Sequence, residues 1–129
     1  MNELLLDTHA LLWCLADDPA LSATARTAVL DPEARIVVSA ASAWEISTKH
    51  RLGRLDGLGA IASRLDQLIL AADYNHLHIT FAHAQRAGAY ASAHKDPFDR
   101  MLAAQAEIES LTLVTADRSF AEFPVATLW

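Results

Sequence analysis

The chain has 129 residues, of which 53% are hydrophobic, and it carries a formal net charge of −6 at pH 7. This length supports one core of ordinary size, so we predict a single domain over residues 1–129. The acidic balance excludes a nucleic-acid binder that relies on bulk electrostatic attraction, but it does not exclude one that meets phosphate through metal ions.

Composition also predicts the compartment. The N-terminus lacks a basic segment followed by a long apolar stretch, and no run of about 18 apolar residues occurs, so neither a signal peptide nor a membrane span is expected. The single cysteine, Cys14, cannot form an intrachain disulfide, which is typical of a reducing environment. We therefore expect a cytoplasmic protein without membrane contact.

Strand and helix patterns alternate through the first half of the chain. An apolar run without polar alternation, typical of a central strand covered on both faces, ends at Asp7. A β-branched run ends at Ser39. The elements expected here are strands over residues 3–7 and 35–39, helices over residues 9–15 and 22–30, and a helix capped by Ser39 or Ser42 that ends near Gly53.

The second half continues the alternation. Its expected elements are helices over residues 60–72 and 82–91, a helix that begins after Asp96, and strands over residues 77–80, 111–115 and 125–128. No repeat, linker or low-complexity segment interrupts the pattern. We predict an α/β fold with a mostly parallel central sheet of four to five strands and helices on both faces.

The clearest helix start lies within residues 94–106. Pro97 suits the first helical position, which places Asp96 at the N-cap and Asp99 at the third helical position, near the positive end of the helix dipole. An isolated pair of this kind ordinarily serves only to cap a helix. A functional interpretation requires that further carboxylates converge on the same point.

The expected topology brings further carboxylates to that point. Open parallel sheets bind ligands beyond the carboxyl ends of their strands, and Asp7 and Asp117 each follow an apolar strand. Glu45 lies about two turns into the helix after the second strand, among apolar neighbours, and needs a partner if it is buried. With Asp99, four acidic groups at one edge would repel one another. Hard divalent cations, Mg²⁺ or Mn²⁺, would relieve that repulsion.

Four segments carry a family resemblance. They span nearly the whole chain and comprise Leu5–His9 (LLDTH), Ser39–Ile46 (SAASAWEI), His94–Ala106 (HKDPFDRMLAAQA) and Leu113–Asp117 (LVTAD). Taken together and in this order, they resemble the PIN-domain proteins of the branch related to VapC toxins.

The resemblance implies a function, partners and a site. It implies a metal-dependent ribonuclease that hydrolyses RNA phosphodiester bonds, is neutralised as a toxin by a small cognate antitoxin, and forms a homodimer. The acidic position within Asp96–Asp99 is matched to Asp99, because residues 102–104 follow it at the family's usual spacing. The implied acidic cluster, with Asp96 adjacent to it, is Asp7, Glu45, Asp99 and Asp117.

Roles for these residues follow from phosphodiester chemistry. Hydrolysis needs a nucleophilic water and stabilisation of charge on the phosphate, and carboxylate-held Mg²⁺ or Mn²⁺ supplies both. Glu45 is expected to orient or deprotonate the attacking water. Asp7 is expected to bind the ion directly. The expected metal ligands are Asp7, Asp96, Asp99 and Asp117.

Basic and aromatic residues near these segments allow weaker expectations. At least one of Lys95, Arg100 and Arg118 is expected to contact phosphate. Trp13 and Trp44 are expected in the core or an interface rather than as base-stacking platforms. The basic residues after the Glu45 helix either contact RNA or form a solvated helix end, and they are Lys49, Arg51 and Arg54.

Two other functions remain as alternatives. One is an α/β phosphoryl-transfer or phosphatase domain, although Thr8 and His9 follow Asp7 where some phosphatases require a second aspartate. The other is a catalytically silent PIN-fold binding module, against which the complete acidic set argues. Zinc binding by His76 and His78 is disfavoured, because no further ligand lies at a suitable spacing.

Overall fold

The computed structural model describes residues 2–129, in which strands and helices alternate. The strands are β1 (Glu3–Leu6), β2 (Arg35–Ser39), β3 (Asn75–Leu77), β4 (Thr112–Val114) and β5 (Thr127–Leu128). The helices are α1 (Thr8–Ala16), α2 (Ala23–Leu30), α3 (Ala40–Arg51), α4 (Gly59–Ala62), α5 (Leu65–Ala71), α6 (Phe81–Ala89) and α7 (Pro97–Glu109), with a 3₁₀ helix at Arg118–Glu122.

The five strands form one parallel sheet in the order β3-β2-β1-β4-β5. In the central strand, Leu5 pairs with Val37 of β2 on one side and with Leu113 of β4 on the other. The chain moves outward from β1 through β2 to β3 and then crosses to β4, so the strand order reverses between β1 and β4. This confirms the predicted α/β class and puts the switch point, where such sheets bind ligands, between β1 and β4.

The sheet separates two hydrophobic clusters. Leu4 and Leu6 pack into one cluster with α1, α2 and α5, whereas Leu5 packs into the other with α6 and α7. Both faces of β1 are therefore covered, which explains its unbroken apolar run. Each fully buried leucine contributes about 1.5–3 kcal/mol, so the strand is held firmly beneath the edge at which Asp7 lies.

The helix expected over residues 60–72 is in fact two helices. Arg64 leaves the helical conformation, with φ −126° and ψ 23°, and separates α4 from α5. Ile61 and Leu65, on either side of this break, both pack against the same hydrophobic cluster. The break is thus a consequence of tertiary packing, which overrides local helix propensity.

The strand expected over residues 77–80 was also misplaced. β3 covers Asn75–Leu77, and Thr80 is instead the N-cap of α6. The Thr80 hydroxyl accepts a hydrogen bond from the His83 N–H at 3.2 Å, and the His83 Nδ1 accepts one from the Thr80 N–H at 3.0 Å. Histidine takes the place that glutamate or glutamine usually holds in a capping box, so the pattern was not visible in the sequence. No helix within residues 2–129 is long and apolar enough to cross a membrane.

Candidate active site

A cavity of about 140 Å³ lies at the edge of the sheet where β1 and β4 end. All five carboxylates that the sequence analysis singled out line this cavity. Its lining comprises Asp7, Thr8, His9, Glu45, Lys49, Asp96, Asp99 and Asp117.

The two strand-end aspartates are also helix caps. The Asp7 N–H donates to the Val114 carbonyl at 3.0 Å, which ties the end of β1 to β4. Its Oδ1 accepts from the Ala10 N–H at 2.7 Å at the start of α1. Asp117 Oδ1 accepts from the Ser119 N–H at 2.9 Å at the start of the 3₁₀ helix. The sequence analysis treated these aspartates as candidate ligands and missed their capping role.

Glu45 is buried, with 5% exposure, and each oxygen of its carboxylate accepts one hydrogen bond. Oε1 lies 2.6 Å from the Thr8 hydroxyl, and Oε2 accepts from the Lys49 ammonium at 2.6 Å. The Thr8 hydroxyl also lies 3.1 Å from the Ser42 hydroxyl. Because a carboxylate can only accept, Thr8 donates to Glu45 and receives the Ser42 hydrogen. The expectation that a buried Glu45 needs a partner is confirmed.

The start of α7 follows the capping prediction. Asp96 is the N-cap, and its Oδ1 accepts from the Phe98 N–H at 2.9 Å and the Asp99 N–H at 3.4 Å, with Pro97 in the first turn. Asp99 Oδ2 lies 2.9 Å from the His94 Nε2. An ionised carboxylate can only accept, so His94 carries the hydrogen on Nε2 and donates it.

Burial and mutual repulsion raise the pKa of two of these carboxylates. Burial is the largest cause of the raised pKa of Asp7, and the negative charge of Asp117 adds to it. Burial raises the pKa of Asp99 to about 6, with further contributions from Asp96 and Glu45 and an opposing effect of His94. The pKa of Asp117 is lowered, chiefly by the hydrogen bond from the Ser119 backbone. The cavity therefore concentrates negative charge that a cation would stabilise.

The carboxylates suit a hard divalent cation in their chemistry. Asp96, Asp99 and Asp117 each hydrogen-bond through one oxygen, which leaves the second oxygen for an ion. Within residues 2–129, however, no three His, Cys, Asp or Glu side chains are grouped closely enough to hold a metal ion as they stand. An all-oxygen donor set fits Mg²⁺ or Mn²⁺. Binding would require these side chains to draw together around the ion.

The basic residues expected near the site have different environments. The Arg100 guanidinium donates to backbone carbonyls at 2.6–3.0 Å, so it is not directed at a phosphate. Lys95 and Arg118 are exposed and stay candidates for that role. Lys49 lies inside the cavity, whereas Arg51 is exposed.

The aromatic residues only partly follow the expectation. Trp13 packs against the core and lies 5.7 Å from the ring of Trp129. Trp44 is 65% exposed and meets Phe98 edge-on at 5.0 Å, so it lies outside the core, and an interface position for it stays a prediction.

Sequence reasoning missed the contact between His94 and Asp99. The two are five positions apart, but Lys95 and Asp96 between them lie outside helix and strand, so spacing did not indicate that they meet. Ser39 and Ser42 form no hydrolase set with His94, whose ring nitrogen bonds to Asp99. Ser39 donates to Gln105 at 2.5 Å and Ser42 contacts Thr8, so both serines bond to residues other than His94.

The chain is similar to known proteins over nearly all of its length. The family model of the PIN domain matches residues 4–126. Among solved structures, VapBC2 from Rickettsia felis bound to a DNA fragment from its promoter has a TM-score of 0.73 at 16% identity, covering 97% of this chain and 96% of that one. FitAcB from Neisseria gonorrhoeae has a TM-score of 0.66 at 27% identity, with 96% and 95% covered.

A third solved structure is described by its activity. VapC20 from Mycobacterium tuberculosis, a toxin that cleaves the sarcin-ricin loop, has a TM-score of 0.59 at 16% identity, covering 93% of this chain and 95% of that one. Curated protein sequences give no match. The two likenesses at 16% identity show a shared fold alone. The family-model match covers most of the chain, and the chain therefore belongs to the PIN domain family.

Proposed function

We propose that residues 1–129 form one endoribonuclease domain that hydrolyses RNA phosphodiester bonds with Mg²⁺ or Mn²⁺. The observation that carries this proposal is the convergence of five carboxylates on one cavity at the switch point of the sheet. Membership of the PIN domain family supports it. So does the likeness of fold to VapC20, which is described as a toxin that cleaves the sarcin-ricin loop.

The carboxylates divide between two roles. A bound divalent ion supplies positive charge that stabilises the phosphate and makes a water more acidic at neutral pH. Four side chains would hold it: Asp7, Asp96, Asp99 and Asp117. Asp7 and Asp117 come from neighbouring strands and Asp99 from α7, so the donors approach the cavity from different directions.

Glu45 would orient the attacking water and accept its proton. The Thr8 hydroxyl donates to one oxygen of Glu45, which fixes the plane of the carboxylate. The Lys49 ammonium, held by the other oxygen, brings one positive charge into the cavity, where it would meet the phosphate of a bound strand. Thr8 and Lys49 would thereby set the geometry in which Glu45 works.

We further propose that the protein is a cytoplasmic toxin, neutralised by a small antitoxin, and that it forms a homodimer. The likeness of fold to VapBC2, which is described as bound to a DNA fragment from its promoter, and to a toxin-antitoxin complex from Klebsiella pneumoniae supports this proposal. Large apolar side chains at the surface provide area that partners could cover. The most exposed of them are Leu30, Trp44, Leu70 and Phe81. A strictly monomeric species by light scattering at tens of micromolar would exclude the dimer.

Cleavage of RNA by the purified protein tests the proposed activity. Mixed RNA substrates are incubated with the protein, freed of any bound partner, with and without Mg²⁺ or Mn²⁺. Wild type and the exposed control Asp56→Asn should cleave only with metal, whereas Asp7→Asn should not cleave. Cleavage that is independent of metal, or no cleavage under any condition, would contradict the proposal.

A further inference from the structure

We propose that His94 is a positioning residue for Asp99, and that Arg100 acts through His94 by fixing the loop that carries it. The inference rests on the proposed function, because it assumes that Asp99 serves the metal site. It assigns roles to His94 and Arg100, which are not among the carboxylates proposed to hold the metal ion.

The loop between α6 and α7 has little regular structure of its own. Residues 90–96 contain neither helix nor strand, yet this segment holds His94 against Asp99. Such a segment owes its conformation to contacts from outside it. Hydrogen bonds to its backbone carbonyls come from Arg100, while the side chains of Tyr90 and Ser92 bond to Glu107 and Glu122.

Arg100 binds the loop at three points and α6 at a fourth. Its guanidinium donates to the carbonyl oxygens of Ala87 at 2.9 Å, Tyr90 at 2.6 Å, Ser92 at 3.0 Å and His94 at 2.7 Å. A planar guanidinium with five N–H groups can serve four acceptors at once, which an ammonium with three cannot. Arg100 therefore fixes the path of the loop as far as His94.

The His94 ring is held from several sides. It stacks on Phe120 at 6.3 Å between centroids and meets Phe123 edge-on at 5.5 Å. Its Nδ1 lies 3.8 Å from a carboxylate oxygen of Glu122. With the ring fixed, its Nε2 donates to Asp99 at 2.9 Å and engages Oδ2 of that carboxylate.

This contact determines how Asp99 faces the cavity. The Asp99 side chain is 20% exposed, so it retains room to rotate when no donor holds it. With Oδ2 occupied by His94, the Oδ1 atom is the oxygen available to an ion. Partners of this kind behind a metal-binding carboxylate typically change metal affinity by about 10- to 100-fold when they are removed.

Paired substitutions at His94 test the proposal. His94→Phe keeps an aromatic ring between Phe120 and Phe123 but removes the donor, whereas His94→Gln keeps an N–H donor at a similar reach. We measure Mn²⁺ affinity by calorimetry, cleavage of RNA with metal, and thermal unfolding without metal. His94→Phe should weaken Mn²⁺ binding at least about 10-fold, and His94→Gln should stay within about threefold of wild type.

A second pair tests the part played by Arg100. Arg100→Lys should weaken Mn²⁺ binding as His94→Phe does, because one ammonium cannot serve four carbonyls. Arg86→Lys is the matched control, since Arg86 also joins α6 to α7 but through the side chain of Glu107. The control should leave Mn²⁺ affinity within about threefold of wild type. If Arg86→Lys lost as much Mn²⁺ affinity as Arg100→Lys, the proposal that Arg100 acts by fixing the loop would be overturned.

The remaining outcomes separate this inference from the proposed function. Wild-type Mn²⁺ affinity and cleavage in His94→Phe would overturn the positioning role alone. Equal losses in His94→Phe and His94→Gln would overturn it as well, because a hydrogen bond would then not be the cause. If wild type itself neither binds Mn²⁺ nor cleaves RNA, the proposed function fails and this inference fails with it.

Discussion

The cavity has a buried side and an exposed side, and their carboxylates behave differently. Asp7 and Glu45 are 8% and 5% exposed, and burial raises the pKa of Asp7. Asp96 and Asp117 are exposed, each caps a helix, and the pKa of Asp117 is lowered by the backbone of Ser119. Burial makes the negative charge of Asp7 costly in the folded protein, whereas capping stabilises the charge of Asp117.

The difference separates two reasons for placing a carboxylate at a sheet edge. A capping aspartate benefits the fold without any ligand, so its presence alone is no sign of function. A buried carboxylate with a raised pKa lowers the stability of the folded protein. Such a residue is tolerated where a functional role, such as catalysis or ligand binding, requires it. Asp7 belongs to both classes, because it caps α1 and is also buried.

The largest expected effect is on cleavage by Asp7→Asn. Asparagine caps a helix about as well as aspartate and removes a buried charge, so stability in metal-free buffer should be unchanged or higher. Cleavage should fall by more than the roughly 100-fold expected for residues that only support a ligand. Chemical unfolding and RNA cleavage measured on one preparation check both results. A large loss of stability would assign Asp7 a structural role.

Thr8→Val should produce the largest loss of stability on the buried side. The substitution keeps the side-chain volume but leaves one oxygen of Glu45 without its donor and the Ser42 hydroxyl without its acceptor. Loss of a buried hydrogen bond to a charged group costs about 2 kcal/mol. Urea unfolding measures it, and the exposed control Thr24→Val should change the free energy of unfolding by less than about 0.5 kcal/mol. Equal effects in both variants would contradict the account.

Asp99 should make metal-free stability depend on pH. Its pKa in the folded protein is about 6, above the ordinary value of 3.8. Its contribution to stability is therefore fully present below about pH 4 and is lost as the pH rises through about 6. The full linkage energy is about 3 kcal/mol, which partial exposure of the side chain to solvent reduces to about 1 kcal/mol.

Urea unfolding between pH 4 and pH 7 compares wild type with two variants. Wild type should become more stable as the pH falls, because Asp99 takes up a proton. Asp99→Asn should lack this part of the gain. Asp117→Asn should retain that gain, because the pKa of Asp117 is lowered rather than raised. A pH dependence that is the same in Asp99→Asn and wild type would show that other groups are responsible.

The smallest effects concern the cap of α7. Asp96→Ala should lower the free energy of unfolding by about 1 kcal/mol, and Asp96→Asn should leave it nearly unchanged. Mn²⁺ calorimetry then separates a cap from a ligand. Asp99→Asn should lose metal binding, and Asp96→Asn should weaken it, because Asp96 is also proposed as a ligand; unchanged binding in Asp96→Asn would make Asp96 a cap alone. Lost binding in Asp96→Asn with unchanged binding in Asp99→Asn would reverse the assignment.

Much of the fold could be predicted from the sequence because its signals are local. The apolar run before Asp7 and the β-branched residues of β2 predicted central strands, and Asp96-Pro97 predicted the start of α7. The same topology placed the five carboxylates at one edge. One error arose at Arg64, where the expected helix divides in two, and another at Thr80, where His83 completes a capping box in place of glutamate or glutamine.

The parts of the site that escaped prediction depend on side-chain contacts across the fold. The contact between Thr8 and Glu45 joins residues 37 positions apart, and no periodicity encodes it. The position of Arg100 next to Asp99 in the sequence makes it a candidate phosphate contact. In the structure its guanidinium turns to the backbone of the preceding loop.

The location of a bound ion tests the central claim most directly. Crystals of the protein grown with Mn²⁺ are measured for anomalous scattering from manganese. We expect a peak inside the cavity, within coordination distance of Asp7 and at least one oxygen of Asp99 or Asp117. A peak elsewhere, or no peak at saturating Mn²⁺ with the cavity accessible in the crystal, would contradict it.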